Sequence, residues 1–364
     1  MIRTERNNFL YTTAIVLICF FFTSCSTPSN TRKPVSVIKL NKQSTYGSSV
    51  KLGIKVLPKG GKIKQASLYI NGAKVKDLPQ NEHALILPNN QLHIGKNKVE
   101  VVALKENGKI GRNSKIITLF SNQVPQNLDY KVVKTLKHHD NHFTEGFEIN
   151  DHILYESTGE YGTSGIYKMK LDNQKIIQST MLDSTYFGEG ITLLNGKIYQ
   201  LTYKKQKAFV YDDNTLKKVG EFTYPNKEGW GLTNDGKNLI MSDGSSTIYF
   251  INPDNFKEER RIQVYSDKQE FNYINELEYV NGYIYANVWT TDLIVKIDAK
   301  TGAVVATISL FDLINSSRLK SKKEIDVLNG IAYDKRDQSL YVTGKFWPNI
   351  YKIKLQHNGE DIQP

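Results

Sequence analysis

The stretch Phe187-Gly188-Glu189-Gly190-Ile191-Thr192-Leu193-Leu194-Asn195-Gly196 joins an acidic, glycine-flanked start to an apolar run and a tight polar turn. The same pattern occurs five times between residues 143 and 355, and two further β-rich stretches follow each copy. The turns are Asn150-Asp151, Asn195-Gly196, Asp235-Gly236, Asn281-Gly282 and Asp337-Gln338. The period is therefore roughly 40 to 55 residues, as in four-stranded propeller blades. Because units that bury only one face must stack, the sequence predicts an all-β protein with a five-bladed β-propeller.

Each repeat opens with the strand that we expect to be innermost in its blade. Innermost strands converge on the central channel of a propeller, so the residues at their starts are predicted to meet at one channel mouth. These residues are Glu145, Glu189, Trp230, Asn275 and Asn329. Further side chains at this mouth are expected from the residue before the first inner strand and from the exits of the second strands: Phe143, Tyr203, Trp289 and Lys345. Carboxylates, amides, aromatic rings and one ammonium suit a small polar substrate.

The propeller is predicted to span residues 128–355. Its last repeat ends too early to supply an outer strand, and the strand-like segment Asp129–Leu136 is expected to close the ring instead. Residues 35–120 contain short β-like runs without a catalytic constellation. They are predicted to form a small immunoglobulin-like β-sandwich that serves as a spacer or as a docking module. The segment Ser121–Asn127 is the expected hinge.

The first 34 residues have the features of an export and anchoring segment. Residues 1–24 carry early arginines and then an apolar core, which is typical of a secretory signal peptide. The sequence Phe22-Thr23-Ser24-Cys25 resembles the lipobox of bacterial lipoproteins, although leucine is usual at the position of Phe22. Cys25 is therefore the predicted lipidation site, and residues 25–34 form the tether; an ordinary signal or a membrane anchor is the alternative. We expect a lipid-anchored protein of the bacterial cell envelope, facing the periplasm or the outside.

Charge and cysteine content narrow the possible partners and cofactors. The formal net charge is +11, but the lysines are scattered and no nucleic-acid-binding motif accompanies them, so we expect no nucleic-acid partner. Cys19 lies in the segment to be removed, which leaves no thiol for a disulfide, a nucleophile or a metal site. His138 and His142 lie in a predicted loop, where their spacing has no helical meaning, so no metal is expected. A monomer is expected.

The repeats also carry the motifs of a known family. In order, these are His142-Phe143-Thr144-Glu145-Gly146, Glu156-Ser157-Thr158-Gly159, Phe187-Gly188-Glu189-Gly190-Ile191-Thr192, Gly229-Trp230-Gly231-Leu232-Thr233, Ile274-Asn275-Glu276-Leu277-Glu278, Ala286-Asn287-Val288-Trp289 and Thr343-Gly344-Lys345-Phe346-Trp347-Pro348. From about residue 128 to 355 the chain resembles the plant-type glutaminyl-peptide cyclotransferases (glutamine cyclotransferases). These five-bladed propellers convert the N-terminal glutamine of peptides or proteins into pyroglutamate and release ammonia, without a metal or another cofactor.

The resemblance also implies residue roles. It makes Glu189 the catalytic acid/base, and it assigns the substrate pocket to Phe143, Glu145, Trp230, Asn275, Trp289 and Lys345. Two positions depart from the family pattern, because many members have glutamine at Glu145 and tryptophan at Tyr203. A second carboxylate close to Glu189 would raise the pKa of one of the two.

Two other functions fit the same residues. A non-catalytic, envelope-anchored propeller that acts as a scaffold or binds a ligand would keep the blade pattern. A metal-dependent lactonase-like hydrolase would need acidic and amide ligands around an ion in the channel. Such a set is available in Glu145, Glu189, Asn275 and Asn329.

Overall fold

The computed structural model describes residues 36–40, 44–57, 61–79, 82–321 and 323–364, and all of them belong to one compact unit. The predicted signal peptide, Cys25 and the tether lie outside the described residues. Within the described part of the chain, none of the helices has both the length and the apolar character that crossing a membrane requires.

The N-terminal part of the described chain consists of two β-sheets. Its strands are β1 (Ser36–Leu40), β2 (Ser44–Thr45), β3 (Lys51–Val56), β4 (Ile63–Ile70), β5 (Ala73–Leu78), β6 (Glu82–Ile86), β7 (Gly95–Lys105) and β8 (Ile110–Phe120), with a short 3-10 helix at Asn89–Gln91. One sheet has the order β1-β3-β6 and the other β2-β8-β7-β4-β5. Alternate residues of these strands, such as Leu52, Leu68 and Val101, meet in one apolar core. We call β1–β8 the N-terminal sandwich.

The rest of the chain forms four-stranded antiparallel units. The strand before them is β9 (Gln126–Lys137). The first three units are β10 (Thr144–Asn150), β11 (Ile153–Thr158), β12 (Gly165–Lys170), β13 (Ile176–Met181); β14 (Gly188–Leu194), β15 (Lys197–Thr202), β16 (Lys207–Asp212), β17 (Lys218–Thr223); and β18 (Leu232–Asn234), β19 (Leu239–Ser242), β20 (Thr247–Ile251), β21 (Glu258–Gln263). The remaining elements are β22 (Ile274–Val280), β23 (Tyr283–Val288), β24 (Leu293–Asp298), β25 (Val304–Ser309), the helix α1 (Phe311–Lys320), β26 (Leu328–Asp334), β27 (Ser339–Gly344), β28 (Asn349–His357) and β29 (Glu360–Ile362).

The first strands of these units contact one another in a closed order: β10, β14, β18, β22, β26 and again β10. They are buried on both faces, and every residue of β26 is buried. The last unit has the order β26-β27-β28-β9, so the strand that precedes the first unit completes the last one. Asp129–Lys137 pairs antiparallel with β28, and the predicted closing role of Asp129–Leu136 is confirmed.

Two features differ from the sequence prediction. The expected hinge is wrong, because the Ser121 amide donates to the Ser266 carbonyl (2.9 Å) and Gln126–Leu128 already pairs with β25. The helix α1 between β25 and β26 was not expected either, and it packs Leu313 and Ser317 inward. The all-β, propeller-like class is confirmed. The predicted boundaries between sandwich and propeller stay predictions.

Candidate active site

A β-bulge at the start of four of the five inner strands places the polar residues of the repeat. The pairing register shifts between Thr144 and Gly146 in β10 and between Gly188 and Ile191 in β14, which brackets Glu145 and Glu189. The same shift brackets the positions of Asn275 in β22 and Asn329 in β26. A bulge leaves a residue outside the ladder and turns its side chain away from the regular alternation. The repeated motif therefore directs these side chains to one end of the ring.

The glycines of the same motif let neighbouring inner strands approach each other. A Cβ at Gly190 would lie 2.4 Å from the backbone nitrogen of Leu232, and one at Gly231 would lie 2.1 Å from the backbone carbonyl oxygen of Asn275. The Gly190 amide donates to the Trp230 carbonyl across this gap (2.8 Å). Only glycine fits such backbone contacts, which explains why the motif repeats glycine next to the polar residue.

A buried ion pair lies at the centre of the site. The Lys345 Nζ donates to Glu145 Oε1 (2.6 Å), and Asn329 Nδ2 donates to Glu145 Oε2 (3.1 Å). The Lys345 ammonium also lies 4.3 Å from the centre of the Phe143 ring. Burial raises the pKa of Glu145 to about 7, although the Lys345 charge lowers it. The pair therefore holds one anion and one cation out of water, each with a partner.

Glu189 is equally buried but differently supported. Among the described residues, none donates a hydrogen bond to its carboxylate. Burial, and then the charge of Glu145, raises the pKa of Glu189 well above its usual value, whereas the Lys345 charge lowers it. Because Glu145 has donors and Glu189 does not, Glu145 is the carboxyl that ionises first, and Glu189 is the one that retains its proton.

Aromatic rings form two walls around these groups. On one side, Phe143 lies 5.9 Å from Phe187 and 5.1 Å from Phe346, and Phe187 lies 5.7 Å from Tyr203. These rings exclude water from the Glu145–Lys345 pair, which strengthens its electrostatics.

The second wall is made of two indoles and a phenol. Trp230 and Trp289 meet edge to face at 5.6 Å, and Tyr273 lies 6.0 Å from Trp289. Trp289 is 37 % exposed, so it forms the rim of the site. Tyr273 has a left-handed backbone (φ 64), a costly conformation for a bulky residue, and backbone hydrogen bonds hold it there.

Asn275 is positioned by its backbone. Its carbonyl accepts from Ser242 Oγ (2.7 Å), and the same hydroxyl accepts from the Gly231 amide (2.8 Å). The side-chain oxygens of Asn275 and Asn329 are buried and have no partner among the described residues. Buried amide oxygens of this kind are rare without a partner, so both are available to a polar ligand.

The structure brings most of the predicted site residues together. Glu145, Lys345 and Phe143 are in contact, and so are Trp230 and Trp289. The roles that the resemblance assigns to these residues, including Glu189 as acid/base, stay predictions.

Three residues of the site were missed. Glu228 Oε2 accepts from Trp230 Nε1 (3.0 Å), and its charge raises the pKa of Glu189 further. Glu228 lies only two residues before Trp230, and Tyr273 directly precedes Ile274-Asn275, so both lay next to motifs that the sequence already marked. Asn287, whose Nδ2 is buried and unpaired among the described residues, lies in the motif that ends at Trp289.

His138 and His142 come together on a carboxylate that sequence spacing did not reveal. Glu156 accepts from His138 Nε2 (3.0 Å) and from His142 Nδ1 (2.8 Å), and the three donor groups lie close enough to hold a metal ion. His138 Nδ1 also donates to the Trp347 carbonyl (2.8 Å). Burial is the largest effect and lowers the pKa of His138, but the Glu156 charge and the hydrogen bonds to Glu156 and the Trp347 carbonyl together raise it above its usual value. Each ring nitrogen of His138 faces an oxygen acceptor, so both nitrogens donate. The cluster is therefore held together by hydrogen bonds from both histidines to the Glu156 carboxylate.

This cluster fixes the loop that carries Lys345. The His138 amide donates to the Pro348 carbonyl (2.9 Å), and the Phe346 amide donates to the His142 carbonyl (2.8 Å). Phe346 has a left-handed backbone (φ 59), which these contacts hold in place. The two histidines therefore stabilise the loop that carries Lys345.

Comparisons with known proteins identify the family of this chain. A family model described as glutamine cyclotransferase matches residues 104–355, which include every predicted pocket residue. The chain is 42% identical over 230 residues to a glutaminyl-peptide cyclotransferase of Arabidopsis thaliana, covering 63% of this chain and 72% of that protein. It also matches the crystal structure of Myxococcus xanthus glutaminyl cyclase with a TM-score of 0.60 and 28% identity, over 66% of this chain and 100% of the other. The chain belongs to the glutamine cyclotransferase family.

Proposed function

We propose that this protein carries out the glutaminyl cyclase reaction of its family with Glu189 as the single proton carrier. The observation that supports this role is the contrast between two buried carboxylates. Glu145 is held by Lys345 and Asn329, whereas Glu189 has no donor among the described residues and a raised pKa. A carboxyl group that is protonated near neutral pH can give a proton and take one back.

The proton balance of cyclisation needs only one such group. The neutral α-amine of the substrate attacks the γ-carboxamide carbon, and the C–N bond of the ring forms. Glu189 donates its proton to the departing nitrogen, the old C–N bond breaks, and ammonia leaves. The resulting carboxylate then takes the surplus proton from the new ring nitrogen. Glu189 ends protonated, as it began.

The surrounding groups orient the substrate and stabilise charge. The indoles of Trp230 and Trp289 restrict the glutamine side chain to a folded rotamer, which brings the amine to the carboxamide carbon. The unpaired oxygen of Asn275 accepts a hydrogen bond from the substrate amine. Lys345 donates one N–H of its ammonium to Glu145, and a second N–H donates to the developing oxyanion.

The same contacts weigh against the two other functions. In a lactonase-like hydrolase an ion would occupy the space between Glu145, Glu189 and the two asparagines, but the Lys345 ammonium already neutralises Glu145 there. A pure scaffold has no need of a buried, raised-pKa carboxyl beside unpaired amide oxygens, because such groups lower stability.

The decisive experiment is ammonia release and loss of free amine from a Gln-initiated dipeptide. We expect the purified protein to turn over, and we expect turnover to be unaffected by a chelator. Glu189→Gln keeps the shape of the side chain and should lower kcat by about a hundredfold or more. A variant with wild-type kcat would remove Glu189 from the mechanism, and loss of turnover with chelator would require a metal.

We also propose that Cys25 is lipidated and anchors the enzyme in the bacterial cell envelope, where it acts on peptides or proteins with N-terminal glutamine. The lipobox-like sequence at residues 22–25 supports this location. Labelled palmitate should enter the wild-type protein and be absent from Cys25→Ser. Equal labelling of both would refute the assignment.

A further inference from the structure

The N-terminal sandwich packs directly on the propeller. The rings of Phe120 and Tyr265 meet edge to face at 5.9 Å, and Ile94, Tyr265 and Ala303 form a small buried cluster. A Cβ at Gly95 would lie 2.6 Å from the Gln263 side chain, so the two surfaces are in close contact. A mere spacer needs no such fit.

Lys96 makes the polar part of this contact. Its amide donates to Gln263 Oε1 (3.0 Å), and its carbonyl accepts from Gln263 Nε2 (3.2 Å). Its Nζ donates to both oxygens of Glu270 (2.9 and 3.0 Å). Lys96 therefore holds Gln263, the last residue of β21, and Glu270, which lies inside the loop between β21 and β22.

Glu270 connects this contact to the indole wall. Its Oε1 accepts from Ser246 Oγ (2.7 Å), two residues after Gly244. Gly244 packs against the Trp230 ring, since a Cβ there would lie 2.7 Å from the ring atoms. The Gly244 carbonyl also accepts from the Tyr273 amide (2.9 Å).

The loop ends at the rim of the site. The Tyr273 carbonyl accepts from the Trp289 amide (2.9 Å), and the two rings lie 6.0 Å apart. Tyr273 has its left-handed backbone at this point, so its position depends on these neighbours. A continuous series of contacts therefore leads from Lys96 to both tryptophans.

We propose that Lys96 and Glu270 are positioning residues for the substrate pocket, and that the N-terminal sandwich is a part of the enzyme that holds the Trp230–Trp289 wall in place. The pair is partly exposed, with side-chain exposures of 53% and 24%. An exposed ion pair changes an equilibrium by at most about fivefold, and we expect effects of that size.

The chain provides a matched control on the same strand. Lys98 pairs with Glu100 (3.3 Å) inside the sandwich, and its side chain is 52% exposed. Lys96→Met and Lys98→Met thus remove the same charge from equally exposed positions. We expect Lys96→Met to raise KM for a Gln-dipeptide two- to fivefold with kcat changed by less than twofold. Lys98→Met should keep both constants, and Lys96→Arg should restore KM.

Fluorescence gives a second readout that needs no substrate. The protein has three tryptophans, and Trp347 is fully buried, so acrylamide quenching reports Trp230 and Trp289. We expect Lys96→Met and Glu270→Gln to increase the quenching constant relative to Lys98→Met at equal thermal stability. If Lys96→Met and Lys98→Met agree in KM or in quenching, the proposal is overturned.

The inference rests on the assignment of Trp289 to the substrate wall. The variant Trp289→Ala tests that assignment separately from the positioning role of Lys96. A raised KM in Trp289→Ala with an unchanged KM in Lys96→Met would refute the positioning role alone. An unchanged KM in Trp289→Ala would refute the wall, and with it the proposal.

Discussion

Replacing Glu145 with glutamine is the sharpest test of the electrostatics in this site. The substitution keeps an oxygen that can accept from Lys345, but it removes the negative charge. That charge raises the pKa of Glu189, whereas the charge of Lys345 lowers it. In Glu145→Gln the raising effect is lost and the lowering effect remains, so the pKa of Glu189 falls.

The kinetic consequence is a shift of the whole pH profile. The competent complex has a neutral substrate amine and a protonated Glu189. Its pH range is therefore set by the pKa of the bound amine and the pKa of Glu189, and the loss of a nearby negative charge lowers both. A nearby charge changes the pKa of a carboxyl by about one to three units. We therefore expect the bell-shaped kcat profile of Glu145→Gln to move to lower pH by about one unit.

Lys345→Met should have a smaller effect than Glu145→Gln, because two opposing changes act on Glu189. Loss of the cation raises the pKa of Glu189, but it also leaves Glu145 buried without its ion partner. Glu145, whose pKa is already about 7, then takes up a proton and no longer acts on Glu189. The two changes oppose each other, so we expect the kcat profile of Lys345→Met to stay within one unit of the wild-type profile and close to that of the double variant.

The assay is ammonia release at saturating Gln-dipeptide between about pH 5 and 10, for all four proteins. Circular dichroism at each pH confirms that they are folded. An upward shift in Glu145→Gln, or equal shifts of the same sign in both single variants, would refute the electrostatic coupling of Glu145 and Lys345 to Glu189.

Three further predictions concern stability. Burial raises the pKa of Glu278 well above its usual value, so the folded protein holds a proton that the unfolded chain releases above pH of about 4.5. The unfolding free energy should fall from pH 5 to pH 8 by about 1.4 kcal/mol per pKa unit, and urea unfolding of Glu278→Gln should show a flatter slope. Gly190→Ala should cost about 2 kcal/mol or more through its backbone clash, whereas Gly196→Ala, with open space around it, should cost about 1 kcal/mol in the same assay. Glu156→Gln should lower the unfolding free energy by about 3 kcal/mol by leaving the buried His138 cation unpaired, and a chelator should leave the melting temperature of the wild-type protein unchanged.

The sequence predicted the propeller because its information is periodic. A bulge recurs at the start of four of the five inner strands, and glycine next to a polar or aromatic residue recurs in most of them; each of these features has a local physical cause in strand approach and side-chain direction. The closing strand was also predictable, since Asp129–Leu136 had no partner in its own unit. The helix α1 was not, because its amphipathic character is weak and its stability comes from tertiary packing.

The site was predictable where residues come from the repeat, and unpredictable where they meet across units. The neighbourhood of Glu145 and Lys345 followed from the converging strands, but their 2.6 Å contact depends on side-chain geometry. Glu156 could not be assigned to the histidines because a strand residue and two loop residues share no spacing rule. The contact of Lys96 with Glu270 joins residues 174 positions apart, in parts of the chain that we expected to be separated by a hinge.

The charge of the pocket gives a reason why this chain has a glutamate at position 145. With Glu189 protonated, the Glu145 carboxylate and the Lys345 ammonium cancel, and the site is neutral before substrate enters. A glutamine at this position, as in many family members, would leave the lysine uncompensated and the pocket positive. A positive pocket repels the ammonium form of the substrate, which predominates at neutral pH. Glu145 therefore allows the charged substrate to enter, and the raised pKa of Glu189 is the electrostatic consequence of the same carboxylate.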